Sequence, residues 1–356
     1  MIYFLLPILT FFTAQLKILN IKGSKTLVKL LMVSVFMFYA LFVGLRGEGV
    51  GTDYYQYEGF FNDPSFTEPG FGLFMRIVKL FTSNFSVFLL LNILFTLYLR
   101  YYLFDKFSYN KAISYLMLSG FWLLVYDMNG IRQALSLGFV GIAGYFAYKE
   151  NLIKFLIFAA IASLIHYSSI VFIPFYFILK VDINKRQMIF SILILYLLAI
   201  ANISGVIMEA IMNSGLKGVL VGKITAYSEI DQYNRNALLS FNTFHRIFIF
   251  FVIFFTIDRI PAPEKLKKFL LMAAFLNISI FLLLSRFELI AVRGSLPFRY
   301  FELVFFSYLP YIFKQRQLKF FVLLLLLLYV CFQIFQTLNV SSDVDNTLIP
   351  YKTIFG

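Results

Sequence analysis

The sequence predicts an all-α, polytopic integral membrane protein with about twelve transmembrane helices. Of its 356 residues, 61% are apolar and only 14% charged, and the mean hydropathy is +0.83. A soluble domain carries roughly 45–50% apolar and about 25% charged residues, so this chain has too little polar surface to stay in water. Several windows also exceed the ~18 consecutive, nearly uncharged apolar residues that mark a membrane span. A backbone in lipid must satisfy its own hydrogen bonds, which makes helices the expected element.

Spans are expected at 2–19, 28–45, 85–103, 112–126, 133–148, 152–166, 168–180, 188–206, 244–258, 267–285, 298–313 and 318–338. The run Leu152–Lys180 is broken only by His166-Tyr167-Ser168-Ser169. At ~1.5 Å per residue it is too long for one upright span of a ~30 Å core and short for two full ones. Charge parity decides in favour of two short helices meeting at His166. Read so, Lys17/Lys22/Lys25/Lys29, Arg100/Lys106/Lys111, Lys149/Lys154, Lys180/Lys185/Arg186, Arg259/Lys265/Lys267/Lys268 and Lys314/Arg316/Lys319 all fall on one side. That side is cytoplasmic by the positive-inside rule, and both termini lie outside. No cleavable signal is expected, because the apolar run starts at Ile2 without a basic region before it.

The orientation accounts for the charge. The whole chain carries +13, of which the cytoplasmic loops hold +14 and the outer face −1. Nucleic acid is therefore not an expected partner. One cysteine, Cys331, excludes a disulfide framework, and two histidines in all exclude a multi-histidine metal centre. The outer bases are mostly arginine: Arg46, Arg76, Arg132, Arg235, Arg246, Arg286, Arg293 and Arg299. Lysine serves equally well as a topological charge, whereas arginine's planar fork suits phosphate or carboxylate. The plain alternative is pairing with outer acids such as Glu288 or Glu302.

Two outer segments interrupt the spans. In 46–84, Pro69-Gly70 precedes Phe71, Phe74, Ile77, Val78 and Phe81, with Arg76 and Lys79 on the other face, which reads as an interfacial helix. The segment 207–243 reads as a lid or a solvated connection, and 339–356 as an outer tail. No internal repeat or low-complexity region is found, which weighs against a transporter built from related halves.

Four motifs could carry chemistry. Arg46-Gly47-Glu48-Gly49-Val50-Gly51-Thr52-Asp53-Tyr54-Tyr55-Gln56-Tyr57 follows the second span, and its glycines allow close approach of backbone N–H groups to an anion. The alternative is a flexible loop beside an aromatic belt. Arg132, in Asn129-Gly130-Ile131-Arg132-Gln133, sits between two apolar helices, where a charge is costly; it is functional or a snorkelling arginine. His166, at the outer turn of the short helical pair, is a proton acceptor at neutral pH or a structural turn residue. Arg293-Gly294-Ser295-Leu296-Pro297-Phe298-Arg299-Tyr300-Phe301-Glu302 brings two arginines to the mouth of the eleventh span. His245 has only a structural reading, and no Ser-His-Asp spacing supports a serine hydrolase.

The ordered set Arg46-Gly47…Gly51-Thr52-Asp53-Tyr54…Tyr57, Glu68-Pro69-Gly70-Phe71, Arg132-Gln133, Ile165-His166-Tyr167-Ser168-Ser169, Arg299-Tyr300-Phe301 and Pro350-Tyr351-Lys352 resembles the EpsG-type branch of Wzy-like polysaccharide polymerases over most of the chain. The resemblance implies a multi-pass enzyme of the bacterial cytoplasmic membrane that joins undecaprenyl-pyrophosphate-linked oligosaccharide repeats on its outer side. Its implied partners are those lipid-linked glycans and membrane lipid, with a flippase and a chain-length regulator alongside. On this reading Arg46, Arg132, Arg293 and Arg299 converge on the pyrophosphate leaving group, and Tyr54, Tyr57, Tyr167 and Tyr300 offer faces to sugars. His166 is favoured over Asp53 as the base, because a carboxylate near pKa 4 is the weaker acceptor. No metal, cofactor or nucleotide is expected. A ligase acting on a terminal acceptor shares this chemistry, a flippase would want its charges along a mid-membrane cavity, and a membrane acyltransferase would want its histidine near the cytoplasm.

Overall fold

The computed structural model describes residues 2–19, 23–203, 205–206, 237–340 and 347–356. Among these the chain is helical with no strand, apart from one isolated antiparallel bridge between Arg46 and Thr353. Six helical segments are long and apolar enough to cross a membrane: Ile2–Leu19, Ser24–Gly44, Phe85–Phe107, Phe241–Arg259, Glu264–Leu283 and Arg316–Asn339. The protein is thus an all-α polytopic membrane protein. Of the other expected spans, 133–148 is occupied by one 18-residue helix, Ile131–Tyr148, and the rest by shorter or broken helices among the described residues. The chain divides into two compact units, Met1–Ile170 with Leu303–Gly356, and Val171–Glu302.

The first unit holds α1 (Leu5–Leu19), α2 (Ser24–Gly44), α3 (Tyr54–Asn62), α4 (Pro69–Lys79), α5 (Phe85–Phe107), α6 (Lys111–Met117), α7 (Ile131–Tyr148) and α8 (Leu152–Ile165). Side-chain caps mark several starts. Asn84 accepts from the Ser86 and Val87 N–H groups, Asn110 from Ala112 and Asn151 from Lys154. After α6 the helix widens into a π-type segment, Leu118–Asp127, because Gly120 leaves helical geometry at φ −91°, ψ −122°. α8 has 14 residues, about 21 Å, and stops where His166 turns extended and a 3₁₀ turn, Tyr167–Phe172, begins.

α3 and α4 bury Tyr54, Tyr57, Phe61, Phe71, Met75 and Val78 in one core with Phe85 and Phe88 of α5, Leu135 of α7 and Ile165 of α8. The other side of α4 leaves Leu73 and Ile77 about half exposed, and Leu80 and Phe81 beyond its end fully so.

The N-terminus, the loop after α2 and the C-terminal tail meet at one end of this unit. The Tyr3 hydroxyl donates to the Leu348 carbonyl, and that of Tyr351 to Phe42 at 2.6 Å. The Gly47 N–H donates to Lys352 at 2.8 Å and the Ile354 N–H to Leu45 at 3.0 Å. Lys17 and Lys111 lie at the other end, about 30 Å away along the 21 residues of α2. With Cys331, the sole cysteine, replaced by serine, cysteines introduced at Phe66 and Lys352 should react with an impermeant thiol reagent from one side of the membrane. Lys25→Cys should react only from the other side. Labelling of Phe66→Cys and Lys25→Cys from the same side would overturn the parity argument.

One basic residue is not where the charge count put it. Arg100 lies within α5 rather than in a cytoplasmic loop, and its Nη1 is 2.6 Å from Asp127 Oδ2, both side chains fully buried. The Tyr39 hydroxyl of α2 donates to the same oxygen. Burial between the helices explains the pairing: an isolated charge there is costly, and the pair neutralises both partners. The topological excess survives: without Arg100 the cytoplasmic balance falls from +14 to +13, and without Asp127 the outer face rises from −1 to 0.

The second unit holds α9 (Phe175–Ile178), α10 (Lys185–Ile200), α11 (Phe241–Thr256), α12 (Glu264–Leu283) and α13 (Glu288–Arg299). Asn184 and Gln187 form a capping box on α10, and Ser240 caps α11. α12 packs against α10, α11 and α13. Phe172, Phe175, Phe269, Phe298 and Phe301 stack into one aromatic core. The expected span 298–313 is not one helix. α13 ends at Arg299, Glu302–Phe306 forms a short α14, and Leu309–Ile312 is a 3₁₀ turn, with Pro297 and Pro310 removing ladder donors. The long terminal helix α15 (Arg316–Val340) returns to the first unit against α1. Most of the 207–243 segment, with Arg235, lies outside the described residues.

Candidate functional site

Proline and glycine at the start of α4 build the site. Pro69 occupies the first helical position, where its missing N–H costs nothing. A Cβ on Gly70 would come within 2.9 Å of the Leu164 backbone, so glycine lets α4 press against the end of α8. That contact sets Glu68, just before α4, beside His166, just after α8. Glu68 Oε1 lies 3.4 Å from His166 Nδ1. Its other oxygen accepts from Arg132 Nη1 at the start of α7, and from the Thr67 hydroxyl at 3.2 Å.

Arg132 is held on every side. Its Nη1 also donates to Thr67 Oγ1 at 3.3 Å and its Nε to the Tyr57 hydroxyl at 3.4 Å. The guanidinium carbon sits 5.0 Å from the centre of the Phe60 ring. Behind the cluster, Ser136 Oγ of α7 meets Ser169 Oγ at 2.6 Å, which ties the turn after His166 to α7. The Glu68 side chain is 4% exposed, Arg132 19% and His166 12%. Glu68 is therefore a supporting group, and the two ring nitrogens of His166 are buried as well, its exposed surface being carbon.

Burial pushes the Glu68 carboxyl up. The His166 hydrogen bond and the Arg132 charge outweigh that and hold it well below the ordinary carboxylate range. The stability it carries is present above the unfolded value near 4.3 and is lost only as pH falls towards the lower folded value. Glu68 is thus an anion at neutral pH. Facing it, the imidazole favours the tautomer with its proton on Nδ1, which leaves Nε2 as the acceptor. Such a carboxylate–imidazole pair can take a proton from a hydroxyl and stabilise the imidazolium that forms.

Arg46 is also in this unit, 1% exposed. Its Nη1 donates to the Val43 carbonyl at 2.8 Å and its Nε to Val50 at 3.1 Å. Burial pulls it down to about 10, still charged at neutral pH. Two of its donors therefore shape the loop, and Nη2 has no hydrogen-bond partner among the described residues. Gly51, at φ +104°, lets this loop approach the turn before Arg132: a Cβ there would meet the Met128 carbonyl at 2.7 Å and Asn129 Oδ1 at 2.8 Å. Asp53 sits at the start of α3, 3.4 Å from the Thr52 hydroxyl, which also reaches Asn129 Oδ1 at 3.3 Å. Tyr54 and Tyr57 are buried in the core, and Tyr167 is half-buried.

The second unit has its own polar cluster. Arg246 of α11 donates through Nη1 to Asn277 Oδ1 at 2.6 Å and to Ser295 Oγ at 3.0 Å. The Asn277 amide of α12 donates in turn to Glu302 Oε1 at 2.9 Å, and Glu302 Oε2 lies 3.6 Å from Arg299 Nε. Arg299 faces the Glu302 carboxylate directly, and Arg246 is linked to it through Asn277. Arg293 is half-buried on α13, and Tyr300 is fully buried.

A family model described as the EpsG family matches residues 29–353. The chain belongs to the EpsG family. This is a family of Wzy-like polysaccharide polymerases, membrane proteins with a glycosyltransferase-type activity. No curated protein and no solved structure matches the chain.

Most of the ordered EpsG-type motifs reach the two clusters, whereas Pro350-Tyr351-Lys352 packs on the end of α2 and the loop after it. Glu68-Pro69-Gly70, Arg132 and His166 meet in the first unit, with Arg46 sharing the neighbourhood of Tyr57; Arg299 and Glu302 meet in the second. Four residues of these clusters were not singled out from sequence as site residues: Glu68, Arg246, Asn277 and Glu302. Glu68 and Glu302 lie in quoted motifs and Arg246 is among the outer arginines, so a search for buried ionisable partners around those arginines could have found three. Asn277, within an apolar helix, carries no such signal.

Proposed function

We propose that this EpsG-family protein joins undecaprenyl-pyrophosphate-linked oligosaccharide repeats at the outer face of the bacterial cytoplasmic membrane. The observation that carries this reading is the His166–Glu68–Arg132 cluster. It pairs a base, an anion that orients it and a cation, at the end of the first unit where the N-terminus and the C-terminal tail also lie. The acceptor is the terminal hydroxyl of one lipid-linked chain. His166 Nε2 takes the hydroxyl proton, the oxygen attacks the anomeric carbon of a second chain, and the bond to the pyrophosphate breaks with inversion. The leaving lipid pyrophosphate carries away the electron pair, and arginine forks stabilise its charge.

Arg132 holds the developing charge nearest the base, and Arg46, whose Nη2 is unpaired among the described residues but buried, is proposed as a further donor. Arg293 and Arg299 are also proposed to bind pyrophosphate. With Tyr54, Tyr57 and Tyr300 buried, sugar stacking falls to Tyr167. A flippase that delivers the lipid-linked repeat and a chain-length regulator are the proposed partners.

Deletion in the native host, followed by sizing of the surface glycan, tests the reading. A ladder collapsing to a single repeat is the expected outcome. Complete loss of surface glycan with intermediates retained on the cytoplasmic side would indicate a flippase instead, and full-length chains left on the lipid carrier would indicate a ligase.

A further inference from the structure

At the end of the first unit opposite the His166 cluster, a cavity of about 690 Å³ opens between α1, α2, α5 and α6. Its lining is split in character. Lys17, Lys25, Lys29 and Lys111 stand around it, and Val28, Met32, Val33 and Phe36 continue it along α2. Among the described residues no acid lines it. Lys111 is paired with Asp105, and Lys17 donates to the Tyr109 carbonyl at 2.5 Å. Lys25 and Lys29, one helical turn apart, are exposed and have no ion pair or hydrogen bond to the described residues. Topological charge alone explains lysines on this side of the membrane. It does not explain why four of them border one cavity whose other wall is apolar.

We infer that this cavity binds a single anionic phospholipid, its phosphate headgroup between Lys25 and Lys29 and an acyl chain along Val28, Met32 and Val33. The size lies within the range of small-molecule sites. A basic pocket between membrane helices, with an apolar extension towards the bilayer, matches the two ends of such a lipid. A soluble phosphate would use the lysines and leave the apolar wall without a role. The site is independent of the proposed polymerase chemistry.

Full-length protein in nanodiscs, titrated with phosphatidylglycerol or phosphatidylcholine and read by native mass spectrometry, tests this. Phosphatidylglycerol should be retained selectively, and Lys25→Gln/Lys29→Gln should weaken that retention roughly ten- to thirty-fold. The control pair Lys149→Gln/Lys154→Gln, on the same side but off the cavity, should leave it unchanged. Met32→Trp, which narrows the apolar wall without altering charge, should also expel the lipid. Equal losses from both lysine pairs would reduce the effect to general surface charge and overturn the inference. Retention unaffected by Lys25→Gln/Lys29→Gln, or displacement of the lipid by millimolar inorganic phosphate, would overturn it too.

Discussion

Replacing His166 by alanine should lower polymerisation by a factor of roughly 10²–10⁴, the usual worth of general-base assistance. The imidazole has its Nδ1 facing Glu68 at 3.4 Å, so the alanine variant loses the acceptor nitrogen and leaves the Glu68–Arg132 pair in place. Expression and binding of the lipid-linked donor should therefore change little. Glu68 acts through the imidazole, as a positioning residue. Glu68→Gln should lower kcat with little effect on KM, and Glu68→Asp should restore part of the loss, an outcome that a purely structural role would not give. Asp53 is the competing base. It lies with Thr52 and Asn129 at the start of α3. Long chains from His166→Ala together with none from Asp53→Asn would reverse the roles and leave His166 as a turn residue.

Replacing Arg100 by leucine should destabilise the fold by about 3–5 kcal/mol, the cost of stranding one partner of a buried ion pair. Arg100 and Asp127 are both fully buried. Without the guanidinium, the Asp127 carboxylate keeps only the Tyr39 hydroxyl as a side-chain hydrogen-bond partner among the described residues. A lowered melting temperature in detergent and a reduced yield of monodisperse protein are the readouts. Arg100→Leu/Asp127→Asn removes both charges and keeps an acceptor for Tyr39, so it should recover most of the loss. Equal melting of the single variant and the parent would show that the pair contributes nothing. Equal damage in the single and double variants would mean that arginine packing, not charge, holds this region.

Chain sequence by itself determined the class, because apolar runs of membrane length leave helices as the workable solution. It also marked the break at His166, where the polar run His166-Tyr167-Ser168-Ser169 interrupts an apolar stretch too long for one span; α8 ends at Ile165. His166 and Arg132 were legible for the same reason: a charge or imidazole inside apolar surroundings is costly and must be held by something. What holds them was not legible. Glu68 is 98 residues from His166 and 64 from Arg132, and only the close approach of α4 to α8, permitted at Gly70, brings the three together. Arg100 misled the charge count because parity sorts a base by its place along the chain, whereas its partner Asp127 is set by how α5 packs beside the π-type segment. The tyrosines divided in the same way. Their ring type suits sugars, but the folding of α3 onto α5 buried Tyr54 and Tyr57 and turned Tyr57 into an acceptor for Arg132. Hydropathy and charge act locally and along the membrane normal, so a single chain displays them. The pairing of ionisable groups depends on lateral helix packing, which only the tertiary structure decided.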